Sequence, residues 1–143
     1  MKKIPLIILI VICFSCTPDY TIKFGTYKYV QLSKLEYYSL RLTNAITTYA
    51  VGSEIVLNQD STYLFTTCGN IIKGTWFTKK DSLYLRVLSN RWRNDSLNKF
   101  GYNGKWPELS PTPFEFKIKN DYIMKIHHWG KDKCMEKLKY VKP

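Results

Sequence analysis

Apolar and polar residues alternate along most of the chain from Phe24 onward, which is the pattern of half-buried β-strands. Ile55 and Leu57 share one parity of such a run, and the turn-forming residues 58–61 follow them. The next runs are rich in β-branched and aromatic residues, which favour strands. Four successive strands joined by tight turns are therefore predicted as an antiparallel meander, at residues 55–57, 62–67, 71–78 and 83–88.

The alternation resumes after residue 113 and predicts three more strands, at 114–118, 122–126 and 134–141. The segment Lys34 to Leu42 is the only candidate for a helix, and its tyrosines favour a strand. About eight short strands in one domain imply closure or two layers, because an open sheet would expose its edges. We therefore expect an all-β fold, a small antiparallel meander that closes into a barrel or sandwich.

Residues 89–113 interrupt this rhythm with one long aromatic loop. Aromatic faces beside cations suit stacking on sugars or holding an anionic lipid, and loops of this length often bind ligands. The alternative is that these rings fold back as a plug over one end of the barrel. The predicted ligand-binding residues of this loop are Arg91, Trp92, Arg93, Tyr102 and Trp106.

The N-terminus has the features of a secretory signal peptide. Lys2 and Lys3 precede an apolar run over residues 4–14, and the small residue Ser15 follows it. This run is too short to cross a bilayer, which requires roughly 20 apolar residues. We predict that residues 1–15 are cleaved and that residues 24–143 form one domain, since the remaining length is that of a single core.

Ser15 followed by Cys16 resembles the lipobox of bacterial lipoproteins. The resemblance implies that Cys16 becomes the first residue of the mature chain and carries acyl chains such as palmitate. Residues 16–23 would then be a short tether, and the protein would be bound to a membrane of the bacterial cell envelope. The alternative is an ordinary cleaved signal that leaves Cys16 as a structural cysteine.

The segment Ile55 to Leu85 resembles the core of small lipocalin-like bacterial lipoproteins. Its Gly74-x-Trp76 strand lies between two turns that contain Asp60 and Asp81. The resemblance implies a lipocalin-like barrel. It does not imply an activity, because matched turn formers and core aromatics describe a fold.

The chain carries a formal net charge of +11, which favours anionic partners. In an exported protein these are lipid head groups and acidic glycans, whereas nucleic acid is excluded as a partner. A solvated lysine face that only maintains solubility is the alternative. Cys68 and Cys134 remain after processing, and in an oxidising compartment we expect a disulfide between them. A metal-binding or nucleophilic thiol is the alternative, although no CxxC spacing supports it.

No catalytic motif is present in the chain, neither GxSxG nor HExxH nor a P-loop. His127 and His128 are adjacent and would face opposite sides of a strand, which disfavours a shared metal. We therefore expect a non-catalytic envelope lipoprotein without cofactor or metal that binds a hydrophobic or anionic glycan or lipid ligand. A structural or interaction subunit of an envelope complex, with a barrel filled by its own side chains, is the alternative, and a hydrolase is a third hypothesis.

Overall fold

Eight antiparallel strands form a closed barrel in the computed structural model of this chain, which confirms the predicted all-β barrel. The structure describes residues 21–42, 52–129 and 132–142, except for the side chains of residues 37, 40, 41, 127–129 and 132–134. The strands are β1 (Gly25–Tyr29), β2 (Glu54–Leu57), β3 (Thr62–Thr66), β4 (Asn70–Lys79), β5 (Ser82–Trp92), β6 (Phe114–Lys119), β7 (Tyr122–Trp129) and β8 (Asp132–Val141).

Each strand pairs with its neighbours in sequence, and the first strand pairs with the last to close the barrel. Tyr27 of β1 lies opposite Ile55 of β2 on one side and Tyr140 of β8 on the other. The rings of Tyr27 and Tyr140 are 5.4 Å apart, so an aromatic pair stabilises the closing seam.

The inward parity of the strands fills the barrel with one continuous apolar cluster. Ile55, Leu83 and Leu85 are fully buried, as the alternation predicts. Phe65 contacts the rings of Phe114 and Phe116 edge to face at 6.4 and 6.2 Å, which joins β3 to β6 across the interior. The interior is therefore packed with side chains, and a ligand would bind at its ends or through its wall.

The two ends of the barrel differ. Short turns at 58–61, 80–81 and 120–121 lie at one end, together with residues 21–24 that lead into β1; we call this the hairpin end. Asp60 lies in the first of these turns, where its Oδ1 accepts a hydrogen bond from the Thr62 amide at 3.0 Å. The opposite end, which we call the loop end, carries the turn 67–69, the segment after β1 and the connection 93–113.

The strand predicted over Lys34 to Leu42 is wrong, because this segment forms a helix, α1 (Lys34–Leu42). Ser33 caps the helix: its Oγ accepts a hydrogen bond from the Glu36 amide at 3.3 Å, and Glu36 Oε2 accepts one from the Ser33 amide at 2.9 Å. This reciprocal capping box outweighs the weak strand preference of the tyrosines.

The connection predicted to start at residue 89 begins later than expected. β5 continues to Trp92, and a short helix, α2 (Asp95–Phe100), follows it. Neither α1 nor α2 is long and apolar enough to cross a membrane.

Candidate functional site

A β-bulge determines which side chains of β5 face the loop end of the barrel. Val87 pairs with Gly74 and Ser89 pairs with Lys73, so Leu88 has no partner on β4. This extra residue shifts the parity of the strand beyond it. Asn90 therefore lies opposite the buried Ile72, and Trp92 shares its inward parity.

The polar contacts at this rim support that orientation. Asn90 Oδ1 accepts a hydrogen bond from Asn70 Nδ2 at 2.8 Å, and Asn90 Nδ2 donates to the carbonyl of Glu108 at 2.9 Å. Asn90 thus connects β4 to the far part of the connection 93–113 and holds that segment against the rim.

The side chain of Asn98 binds helix α2 to the end of β5, because it forms the two hydrogen bonds that the backbone of a neighbouring strand would form. Asn98 Oδ1 accepts from the amide of Trp92 at 2.8 Å, while Asn98 Nδ2 donates to the carbonyl of Trp92 at 2.8 Å. Asn94 caps the helix through a hydrogen bond from the Ser96 amide at 2.9 Å. These contacts place α2 beside the Trp92 ring.

Tyr102 follows α2 and lies beside Trp92, at the start of a tight turn. Tyr102 and Lys105 exchange backbone hydrogen bonds of 2.8 and 3.0 Å around Asn103 and Gly104, which both have positive φ. Such a two-residue turn favours Asn-Gly, because both positions require the left-handed region. The rings of Trp92 and Tyr102 are 6.3 Å apart and inclined at 56°.

These elements enclose a cleft of about 460 Å³ at the loop end, which we call the loop cleft. The turn between β3 and β4 forms one wall, and its Gly69 carbonyl accepts from the Arg93 amide at 2.8 Å. The end of β5, α2 and the Asn-Gly turn form the others. The lining residues are Cys68, Gly69, Trp92, Arg93, Asn94, Leu97 and Tyr102.

The indole of Trp92 is the chemically unusual group of the loop cleft. Its Nε1 is buried, and within the described part of the chain it has no hydrogen-bond partner. The indole nitrogens of Trp76 and Trp106, by contrast, donate to the carbonyls of Asn58 and Asn98. An unpaired buried donor costs free energy, so a group that supplies an acceptor here would be stabilised.

The loop cleft contains three of the five predicted ligand-binding residues, namely Trp92, Arg93 and Tyr102. Arg91 has outward parity and forms an ion pair with Asp95 at 3.3 Å. Trp106 is 57% exposed and lies outside the lining, as Arg91 does. Tyr102 is also 61% exposed, so the aromatic residues of this loop do not form a buried plug.

Trp92, Tyr102 and Arg93 together can hold a planar or cyclic anionic group. The aromatic faces provide a stacking surface, the indole N–H provides a donor, and the guanidinium can bind a carboxylate or phosphate through two hydrogen bonds. This combination is suited to binding. Among the residues described, no group of three or more His, Cys, Asp or Glu side chains is placed to hold a metal ion.

The cysteines are only partly described. Cys68 is exposed at the edge of the loop cleft and forms no disulfide with the described side chains. The backbone of Cys134 pairs with His127 near the same end of the barrel, but the side chains of Cys134, His127 and His128 lie outside the described residues. The Cys68–Cys134 bridge therefore stays a prediction, as does the lipidation of Cys16, which also lies outside the described residues.

Three of the predicted residues line the loop cleft, and Cys68, Gly69, Asn94 and Leu97 line it without having been predicted as ligand-binding residues. Asn103-Gly104 is a turn signal that the sequence contains, and it predicts the pairing of Tyr102 with Lys105. The turn between β3 and β4 contributes Cys68 and Gly69 to the loop cleft because β4 pairs with β5, and no local sequence pattern predicts that pairing. Comparison of the chain with protein-family models, curated proteins and solved structures gives no match.

Proposed function

We propose that this protein is a non-catalytic, lipid-anchored protein of the bacterial cell envelope whose loop cleft binds an anionic glycan or lipid ligand. The observation that carries this proposal is the buried Trp92 Nε1, which lacks an acceptor within the described residues. The Trp92 ring lies 6.3 Å from the Tyr102 ring, in a cleft that Arg93 also lines. A ligand with a hydroxyl or ring oxygen over the indole and an acidic group over Arg93 would satisfy all three side chains.

The position of the cleft favours a glycan over a head group of the protein's own membrane. The chain enters β1 at the hairpin end, and a tether over residues 17–22 would reach at most about 20 Å when extended. Strand β5 has 11 residues, and at ~3.3 Å per residue it extends about 35 Å from the hairpin end to the loop cleft. With Cys16 acylated, the cleft would point away from the anchoring membrane.

Binding to a carboxylated polysaccharide tests the loop cleft. The purified protein should bind polygalacturonate and not neutral dextran in isothermal titration calorimetry, with weaker binding at higher salt. Trp92→Ala and Arg93→Gln should each weaken binding about tenfold or more, since buried aromatic and arginine side chains dominate such interfaces.

The chain offers matched controls for both substitutions. Arg91→Gln removes the same charge from the neighbouring outward position, and Trp106→Ala removes an exposed indole of the same connection. Both control variants should bind like the wild type. Equal losses in Arg91→Gln and Arg93→Gln would show that net charge alone drives binding, which would refute the cleft as the site.

The anchor has its own test. Cys16→Ser should abolish processing by the lipoprotein pathway and remove the acyl mass from the mature N-terminus. An intact mass that corresponds to a mature chain with an unmodified N-terminal residue would contradict the lipid anchor.

A second candidate function, an interaction subunit of an envelope complex, is favoured by the filled interior of the barrel. Helix α1 exposes Leu35, Tyr38 and Leu42 at a spacing that places them on one face. Under this alternative, Leu35→Asp would abolish co-sedimentation with an envelope complex, and Trp92→Ala would not affect it.

A further inference from the structure

The wall of the barrel is open between β6 and β7. These strands pair only at Lys117 with Met124, Ile118 with Ile123 and Lys119 with Tyr122. Toward the loop end, β7 continues from Lys125 to Trp129 and pairs with β8 alone. No ladder pair within the described strands joins residues 114–116 of β6 to this part of β7, so the two strands diverge.

This divergence produces a cleft of about 510 Å³, which we call the wall opening. Its lining combines apolar and polar residues: Pro113, Phe114, Met124, Ile126 and Met135 are apolar, and Ser110, Thr112, Glu115, Lys117 and Lys125 are polar or charged. Ile126 is 51% exposed, so the apolar lining extends to the protein surface. An apolar chain can therefore enter from outside without unfolding the barrel.

Two cations line the wall opening: Lys117, which is ion-paired with Asp81 and Glu115, and Lys125, which lies at its inner side. The Nζ of Lys125 is 3.9 Å from the centroid of the Phe114 ring and 5.7 Å from that of Phe116. Burial lowers the pKa of Lys125, because desolvation disfavours its charged form. Within the described part of the chain its ammonium contacts aromatic faces and donates no hydrogen bond, although it carries three donors.

The charges around Lys125 limit the kind of anion that fits. Glu136 lies opposite Lys125 in the register, is 4% exposed and partly offsets the desolvation of the ammonium. Glu115 lines the opening but forms an ion pair with Lys117 at 3.2 Å. Lys125 can bind a monoanionic carboxylate, whereas the charges of Glu136 and Glu115 would repel a dianionic phosphate more strongly than a monoanion.

We propose that the wall opening binds a single-chain amphiphile with a carboxylate head group, such as a medium-chain fatty acid. The carboxylate would accept hydrogen bonds from Lys125, and the alkyl chain would lie along Phe114, Met124, Ile126 and Met135. This site shares no lining residue with the loop cleft, so failure of either proposal leaves the other intact.

The methionines provide a direct readout, since the chain contains three, and two of them, Met124 and Met135, line the wall opening. The full-length chain, labelled with ¹³C at the methionine methyl groups and held in phosphatidylcholine nanodiscs, is titrated with decanoate, decanol or decyl phosphate. Decanoate should shift both lining methyl signals with saturation, while the Met1 signal serves as a reference. Empty nanodiscs measured in parallel correct for partitioning.

Substitution of the cation separates charge recognition from apolar contact. Lys125→Met keeps the length of the side chain and should weaken decanoate binding about tenfold or more, because a charge-assisted hydrogen bond is lost. Decanol binding should change by less than about threefold, since the apolar lining is intact. Lys119→Met removes the same charge from the exposed hairpin end of β6 and should leave decanoate binding unchanged.

Equal decanoate affinity in Lys125→Met and Lys119→Met would overturn the proposal, as would methyl shifts confined to Met1. Tighter binding of decyl phosphate than of decanoate would also refute the assigned head group. If Lys125→Met fails to fold, the comparison of decanoate with decanol on the wild type tests the proposal. Decanoate should bind about tenfold more tightly than decanol, and equal affinities would overturn the proposal.

Discussion

Lys137 Nζ donates a hydrogen bond to Glu36 Oε1 at 2.7 Å and thereby joins helix α1 to strand β8. Lys137 is 14% exposed and Glu36 is 36% exposed, so this pair lies partly out of water. The Lys137 ammonium, together with hydrogen bonds from Ser33, lowers the pKa of Glu36 to about 2. The helix that follows β1 is thus held against the outside of the barrel by a charge that persists to low pH.

This pair predicts an acid-dependent loss of stability. The pKa of Glu36 is lower in the folded chain than in the unfolded chain, so its contribution is complete above about pH 4.5 and disappears as the pH falls toward 2. Glu36→Gln should lower the free energy of unfolding at pH 7 by up to about 1 kcal/mol, since solvent screens the pair. Wild type and variant should converge in urea melts near pH 2.

Glu54→Gln is the matched control, because Glu54 forms a longer ion pair with Lys28, at 3.5 Å between exposed side chains. Its effect at pH 7 should be within about 0.5 kcal/mol. A difference between wild type and Glu36→Gln that stays constant from pH 7 to pH 2 would contradict the role of the charge.

Trp76 should be a major contributor to the core. It is 9% exposed, packs against Phe24 at 5.7 Å between ring centroids and donates from Nε1 to the Asn58 carbonyl at 3.1 Å. Trp76→Ala should therefore cost roughly 3–5 kcal/mol in denaturant unfolding, because it opens a cavity. Trp106→Ala, at an exposed indole, should cost no more than about 1 kcal/mol. Equal costs would refute the difference in burial.

The alternation of residues was sufficient to predict most of the barrel, because β2, β3 and most of β4 bury one parity and leave the other half-buried or exposed. The error in α1 has a different origin. Ser33 and Glu36 carried a helix signal, but a nine-residue segment that contains two strand-favouring tyrosines is locally ambiguous, and the contact between Glu36 and Lys137 is distant in sequence.

The loop cleft was predictable only as a region. Aromatic and basic residues identified the connection, yet the bulge at Leu88 decides that Trp92 faces inward and Arg91 outward. Ser89 and Asn90 follow Leu88 and are typical of a turn, so the sequence indicates the end of the strand there and not a bulge. The wall opening, likewise, depends on where the ladder between β6 and β7 stops, and local patterning does not encode that.

Gly74 should tolerate no side chain. A Cβ there would lie 1.8 Å from the carbonyl oxygen of Arg86 and 2.9 Å from Tyr63 Cε1, at the register shift between β4 and β5. Gly74→Ala should cost about 3 kcal/mol or more, since backbone must move to accommodate the methyl group. Gly69→Ala meets no atom within 4 Å and should change stability by less than about 0.5 kcal/mol. Thermal melts that show the same small effect for both would contradict this packing.

The Cys68–Cys134 disulfide remains to be tested by alkylation. Both residues belong to the loop end of the barrel by their position in the strand order, and Cys68 is exposed. In protein isolated without reductant and then denatured, neither thiol should react with iodoacetamide until a reductant is added. Rapid labelling of both cysteines before reduction would rule out the bridge.

Two buried tyrosines should respond in opposite ways to removal of their hydroxyl groups. Burial raises the pKa of both Tyr27 and Tyr63 to about 12. Tyr27 Oη donates to the Lys23 carbonyl at 2.9 Å and accepts from the Lys23 amide at 3.1 Å. The hydroxyl of Tyr63 is buried without a hydrogen-bond partner among the described residues.

Tyr27→Phe should therefore lower the free energy of unfolding by about 1 kcal/mol, whereas Tyr63→Phe should leave it unchanged or raise it by up to about 1 kcal/mol, because an unpaired buried hydroxyl is itself costly. Both tyrosines ionise less readily in the folded chain than in the unfolded chain. Their ionisation therefore leaves the free energy of unfolding unchanged below about pH 10 and lowers it as the pH rises toward 12. Urea melts at pH 7 decide the first point: a loss in Tyr63→Phe as large as in Tyr27→Phe would mean that the Tyr63 hydroxyl does have a partner.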